Sequence, residues 1–134
     1  MSPWLEMILR LLLASALGAG IGYQRERAGK AAGLRTHILI SSGSALFTIV
    51  SIFGFSGAVD PSRVAAGVVA GIGFIGAGVI FRGSRGEGVA GLTTAASIWA
   101  TAAIGLAAGA GLYLISVVAT AITVGILMIP KVSG

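Results

Sequence analysis

Five apolar segments, roughly 4–23, 36–55, 62–81, 92–108 and 110–129, account for most of this 134-residue chain, and short polar connections join them. A helix rises about 1.5 Å per residue, so about 20 apolar residues match the ~30 Å hydrocarbon core of a bilayer. Inside that core no water bonds the backbone amides, which leaves helices as the way for such segments to cross. The chain is therefore read as an all-α integral membrane protein, one domain over 1–134 containing a bundle of about five transmembrane helices. Composition agrees: 56% of residues are hydrophobic, 10% are charged and the mean hydropathy is +1.01, values outside the range of soluble domains. Ala14-Ser15-Ala16 has the small-x-small form of a signal-peptide cleavage site, but no basic stretch precedes it, and the first segment is read as a retained helix.

Charge orients the bundle. Arg25, Arg27, Lys30 and Arg35 form a basic knot between the first two segments; with Arg82, Arg85 and Lys131 they place seven cations on one side, against Arg10 and Arg63 on the other. Positive charge in short loops marks the cytoplasmic face, so the N-terminus is expected outside and the C-terminus inside. The net charge of +5 is not read as nucleic-acid binding, because the cations cluster at segment ends without interleaved aromatics. Anionic lipid headgroups are the expected partner. With no cysteine, one histidine and four acids, little is available for a catalytic centre or a metal cluster.

Helix ends are legible too. Ser2-Pro3 and Asp60-Pro61 each read as an N-cap followed by proline at the first helical position, and Asp60 also meets the positive end of a helix dipole. The fourth helix, started at Thr93, looks short for a span. The expectation is that the glycine-rich stretch 83–91 dips inward as a vestibule, or that tilt and bilayer thinning absorb the mismatch.

Two kinds of stripe predict how the helices meet. Helix three carries Ala66, Ala70, Gly73 and Ala77 on one row with Gly67, Gly71 and Gly78 beside it, and Gly76 nearby; helix one carries Ala14, Gly18 and Gly22. Small residues let backbones approach in lipid, so helix three is predicted to be the packed centre. Helix two places His37, Ser41, Ser44, Thr48 and Ser51 on one face, helix four Thr94, Ser97 and Thr101, and helix five Tyr113, Ser116, Thr120 and Thr123. These hydroxyls are either interhelical glue or the lining of a polar path.

Three stretches resemble the transmembrane domain of the MgtC/SapB family: Gly22 to His37; Asp60-Pro61-Ser62-Arg63 leading into Gly71 to Ile80; and Gly91 to Trp99. The likeness covers nearly the whole chain with its motifs in order. It implies a multi-pass protein of the bacterial inner membrane, associated with magnesium limitation and, in some pathogens, survival inside macrophages. Many such proteins carry a cytosolic C-terminal domain after the last helix; within 1–134 none is expected. It also implies either a regulator of membrane partners, the proton-translocating ATP synthase among them, or a magnesium transporter. Family members often have Asn where this chain has Thr93.

Residue chemistry weighs those readings. Mg²⁺ takes hard oxygen ligands, carboxylates above all, and no apolar segment carries a central carboxylate, although a filter of carbonyls and hydroxyls still passes ions. No cofactor is expected, and Mg²⁺ has no carboxylate cluster to hold it. The single His with no acid to orient it argues against an enzyme. The expected function is a non-enzymatic modulator, forming homo-oligomers; the alternative is a small transporter or channel for Mg²⁺ or another ion. The functional candidates are Arg25, Glu26, Arg27, Arg35, Thr36, His37, Asp60, Arg63, Arg82, Thr93, Thr94, Ser97 and Trp99. Glu26, flanked by two arginines, is expected either to leave the knot a plain topology signal or to pair with a buried arginine while the remaining cations form a docking surface.

Overall fold

The computed structural model describes residues 2–55, 57, 60–83 and 90–130. Within them the chain forms five helices: α1 (Pro3–Arg27), α2 (Leu34–Phe53), α3 (Ser62–Gly83), α4 (Ala90–Gly109) and α5 (Tyr113–Leu127). The first four are long and apolar enough to cross a membrane; α5, with 15 residues, is a shorter apolar helix. The expectation of a short fourth helix is corrected. Helix α4 starts three residues before Thr93 and its 20 residues rise about 30 Å, a full span. The vestibule expected at 83–91 falls largely outside the described residues.

Glycines with positive φ set two of the turns. At the end of α1, Gly29 (φ 70°) donates its N–H to the Glu26 carbonyl while Lys30 N–H reaches the Arg25 carbonyl. Gly111 (φ 87°) repeats the pattern after α4, with Leu112 N–H on the Ala107 carbonyl, and this closes the hairpin to α5. Both are helix ends whose last carbonyls are satisfied by a left-handed residue that only glycine adopts cheaply. The Asp60 cap is present: Oδ1 accepts from Ser62 N–H at 3.0 Å and from the Ser62 hydroxyl at 2.7 Å. Ser2 occupies the N-cap position of α1 without a capping bond from its side chain.

Helix α4 is the hub, packing against each of the other four helices, while α3 leans on α4 and scarcely touches α2. The close approaches lie elsewhere than on α3. A Cβ at Gly18 of α1 would collide with the Ser41 side chain and the His37 carbonyl, and one at Gly22 with the backbone of Gly33 and Leu34. From the other side, a Cβ at Gly105 or Gly109 of α4 would strike the backbone of Ser41 or Ala45. Helix α2 is thus clamped between the glycine row of α1 and a Gly-x-x-x-Gly of α4, and the three helices cross at Ser41.

That overturns helix three as the packed centre. At Gly67, Gly71, Gly73 and Gly78 a methyl group would have nothing within 4 Å among the described residues, and of the α3 glycines on these rows Gly76 alone meets a neighbour, Ala95 of α4. Ala66, Ala70 and Ala77 are exposed as well. The reason lies in polarity. Hydroxyls buried in lipid need partners, so the faces of α2 and α4 that carry them turn inward, and α4 rather than α3 takes the centre.

Candidate functional site

The ends of α1, α2 and α4 nearest the basic knot converge on a buried polar cluster. Arg25 is 2% exposed and His37 is wholly buried, each on a face that the glycine contacts of Gly18 and Gly22 hold against the neighbouring helix. Arg25 Nη2 donates to Thr94 Oγ1 at 2.8 Å. His37 lies with Nδ1 2.8 Å from the Gly33 carbonyl oxygen and Nε2 3.0 Å from Ser97 Oγ. A carbonyl only accepts, so Nδ1 carries a proton; in the neutral ring Nε2 is then an acceptor, and it shares the single Ser97 hydroxyl hydrogen with the Thr94 carbonyl to which Ser97 donates. Ser97 Oγ also lies 2.8 Å from the Thr94 carbonyl oxygen, and Thr101 Oγ1 donates to the Ser97 carbonyl at 2.7 Å. The cluster therefore runs without a gap from Arg25 through Thr94 and Ser97 to His37, tying three helices together.

Its charge is positive. Among the described residues the one ion pair is Arg10–Glu6, at the opposite end of the bundle, and Arg25 Nε is buried with no partner among them. A buried guanidinium without an ion partner is costly, and among the described residues the acceptor that Arg25 meets is a single hydroxyl, that of Thr94.

The remaining hydroxyls are spent on bonds inside the bundle. Ser44 donates across to the Ala102 carbonyl of α4 at 2.7 Å; Ser41 and Thr48 bond back to the carbonyls of Ile38 and Ser44; Ser51 reaches the Pro61 carbonyl at 3.2 Å. On α5, Ser116, Thr120 and Thr123 likewise return to carbonyls of their own helix. Of the two expectations for the stripes, this geometry supports glue.

The structure unites four of the predicted site residues, Arg25, Thr94, Ser97 and His37, and scatters others. Arg27, Lys30 and Arg35 are exposed, with Arg27 donating to the Tyr23 hydroxyl at 2.9 Å and lying over its ring. Thr36 is half-buried, and Thr93, Arg63 and Trp99 are exposed, Trp99 by 60%. The Arg82 side chain lies outside what the structure describes. Among the described residues Glu26 makes no ion pair with a buried arginine. Its Oε1 instead accepts from Leu34 N–H at 2.9 Å, capping α2 where Gly33 has no side chain to do so.

A second polar cluster, on the N-terminal side, is foreshadowed in the sequence only by the Glu6–Arg10 spacing. Arg10 lies 3.5 Å from Glu6, donates Nη1 to the Gly109 carbonyl at 3.0 Å and stacks over Phe53 at 5.1 Å, while the Tyr113 hydroxyl donates to Glu6. It clasps α1 to the ends of α2, α4 and α5. Gln24 makes a similar tie, donating to the Leu127 carbonyl of α5 at 3.3 Å.

Known proteins resemble this chain in sequence. A model of the MgtC family matches residues 11–133. The chain is 50% identical over 129 residues to a protein of Escherichia coli K12 named "Putative magnesium transporter YhiD", with 91% of this chain and 59% of that protein aligned. It is 44% identical over 131 residues to Protein SrpB of Synechococcus elongatus, covering 90% of this chain and 72% of SrpB. Protein MgtC of Brucella abortus is 46% identical over 113 residues, covering 84% of this chain and 46% of that protein. The chain thus spans little more than half the length of the E. coli relative. No solved structure matches.

Proposed function

Since the chain belongs to the MgtC family, we propose that it is a non-enzymatic modulator of membrane partners in the bacterial inner membrane, acting under magnesium limitation or host-like stress. The observation that carries this reading is the buried Arg25. A cation path for Mg²⁺ through the bundle would run past a guanidinium that no described carboxylate neutralises, at its knot-side end, and among the described residues no carboxylate lies midway along a span to supply the charge that Mg²⁺ favours. The described acids are all employed at helix ends: Glu6 on Tyr113 and Arg10, Glu26 on Leu34, Asp60 on Ser62.

In this reading the closed polar cluster braces the knot, and the exposed Arg27, Lys30 and Arg35 present a cytoplasmic surface to anionic headgroups and to acidic faces of membrane proteins, the ATP synthase among the candidates. The N-terminus lies outside, and the chain associates with copies of itself. The second reading, a small transporter for Mg²⁺ or another ion, draws on the name of the E. coli relative.

Ion flux decides between them. Purified protein in sealed liposomes containing a Mg²⁺-sensitive dye is expected to give no flux above empty vesicles across an imposed gradient. Saturable uptake that scales with protein density would replace the modulator with the transporter.

A further inference from the structure

A cleft of about 630 Å³ opens sideways between α2 and α3, two neighbouring helices that pack only lightly against each other. Its walls are apolar but for Ser44, whose hydroxyl is bonded to Ala102, and include Gly43 and Phe47 of α2 and Val64, Gly67, Gly71 and Ile75 of α3. Both helices are membrane spans, so the opening faces hydrocarbon and not water. Glycines form its floor: at Gly43, Gly67 and Gly71 a methyl would meet nothing within 4 Å among the described residues. Each glycine costs a helix interior up to about 1 kcal/mol relative to alanine, and no close contact among the described residues recovers that here.

Surroundings indicate the occupant. The cleft opens along its side to the hydrocarbon, and among the described residues no further helix covers it, so what the bilayer itself supplies there is an unbranched acyl chain. Charge completes the fit. Arg63, Gly67, Gly71 and Ile75 follow each other at intervals of four, one row along α3, so the exposed Arg63 stands one turn above the lining residues at the membrane surface. The neighbouring Asp60 carboxylate is engaged with Ser62.

We propose that the α2–α3 cleft binds one acyl chain of an anionic phospholipid in the leaflet on the N-terminal side, with the lipid phosphate held by Arg63. This site is separate from the basic knot and independent of the modulator reading.

The test reconstitutes the full chain, with a photo-reactive benzophenone amino acid in place of Phe47, into vesicles of phosphatidylethanolamine and phosphatidylglycerol in equal parts. Illumination followed by intact-mass measurement is expected to give a one-lipid adduct enriched in phosphatidylglycerol. Gly67→Leu and Gly71→Leu fill the cleft without touching the rest of the described bundle and should abolish the adduct at a melting temperature no lower than the parent's. Gly43→Leu does the same from the opposite wall should either α3 variant fail to fold. Arg63→Gln should keep the adduct but lower the preference for phosphatidylglycerol about fivefold, the factor expected of one cation near a lipid surface. A chain-to-chain crosslink in place of a lipid adduct, or an adduct that survives in the filled variants, overturns the site. An unchanged lipid preference in Arg63→Gln overturns the role of the phosphate.

Discussion

Helices α1 and α3 carry the same device, a row of small residues at helical spacing, and use it oppositely. Gly18 and Gly22 lie in backbone contact with α2, whereas Gly67, Gly71, Gly73 and Gly78 look onto open space. Smallness permits an approach but does not demand one. The demand comes from the polar groups: α1 brings Arg25 to Thr94, α2 brings His37 to Ser97 and Ser44 to Ala102, and all three contacts need α1, α2 and α4 together. Helix α3 contributes few buried polar side chains to those contacts. It rests on the outside of α4, and its glycines become the floor of a cleft.

The widest separation between the two rows is expected from adding bulk. Gly18→Leu and Gly105→Leu force a side chain into backbone and should cost about 3 kcal/mol or abolish the folded state. Gly73→Leu should stay within about 1 kcal/mol of the parent, in the stabilising direction that helix propensity predicts. Equilibrium unfolding in detergent, with folded yield for variants that cannot be melted, compares them. Equal losses on both rows would restore α3 to the centre.

Next in size is the cluster that makes the α1 row necessary. Thr94→Val leaves the Arg25 guanidinium buried without its acceptor and should cost about 2 kcal/mol. Arg25→Met, which removes the charge itself, should cost less than Thr94→Val. The same unfolding measurement on both variants and on the double variant isolates the pair; Arg25→Met as the more damaging change would mean that the guanidinium is better compensated than Thr94 alone allows.

Smaller still are the single hydroxyls. Ser44→Ala removes a bond between helices and should cost about 0.6 kcal/mol, rising to at most ~1.7. Thr48→Val, whose bond returns to its own helix, should cost less. Thermal melts of both in one detergent rank them, and a larger loss for Thr48→Val would reverse the assignment of Ser44 as the interhelical tie.

The least effect belongs to Asp60 at the head of α3. The Ser62 hydroxyl and N–H hold its carboxyl below the ordinary value of 3.8. A group with a lowered folded-state pKa stabilises above its unfolded value and loses that contribution as pH falls through the folded one. The melting-temperature difference between the parent and Asp60→Ala should hold from neutral pH down to about 4 and shrink below it, as differential melts across that range would show. A difference that is unchanged in acid would mean that the cap does not depend on charge.

The existence and approximate bounds of the helices are legible because a bilayer makes a simple demand, about 20 apolar residues per crossing. So is the identity of the buried face of α2, since His37, Ser41, Ser44, Thr48 and Ser51 share one side and all are buried. Of the two expectations for Glu26, the pair with a buried arginine is not seen among the described residues; its carboxylate goes to Leu34 N–H, a backbone donor that the side-chain pattern does not advertise. Tyr113 on Glu6 and Arg10 over Phe53 escape a sequence reading for the same kind of reason: their partners lie far away in the chain.

By itself the sequence determined that the chain spans a membrane as a helical bundle, which stripes are small and which are polar, and where Asp60 caps a helix. Those are properties of one segment in one solvent, readable by period and composition. Only the tertiary structure decided that α4 is the hub, that Gly105 and Gly109 clamp α2, and that Arg25, Thr94, Ser97 and His37 meet. Each of those depends on which of several permitted faces turns toward which neighbour, and that choice is made by satisfying every buried donor and acceptor at once.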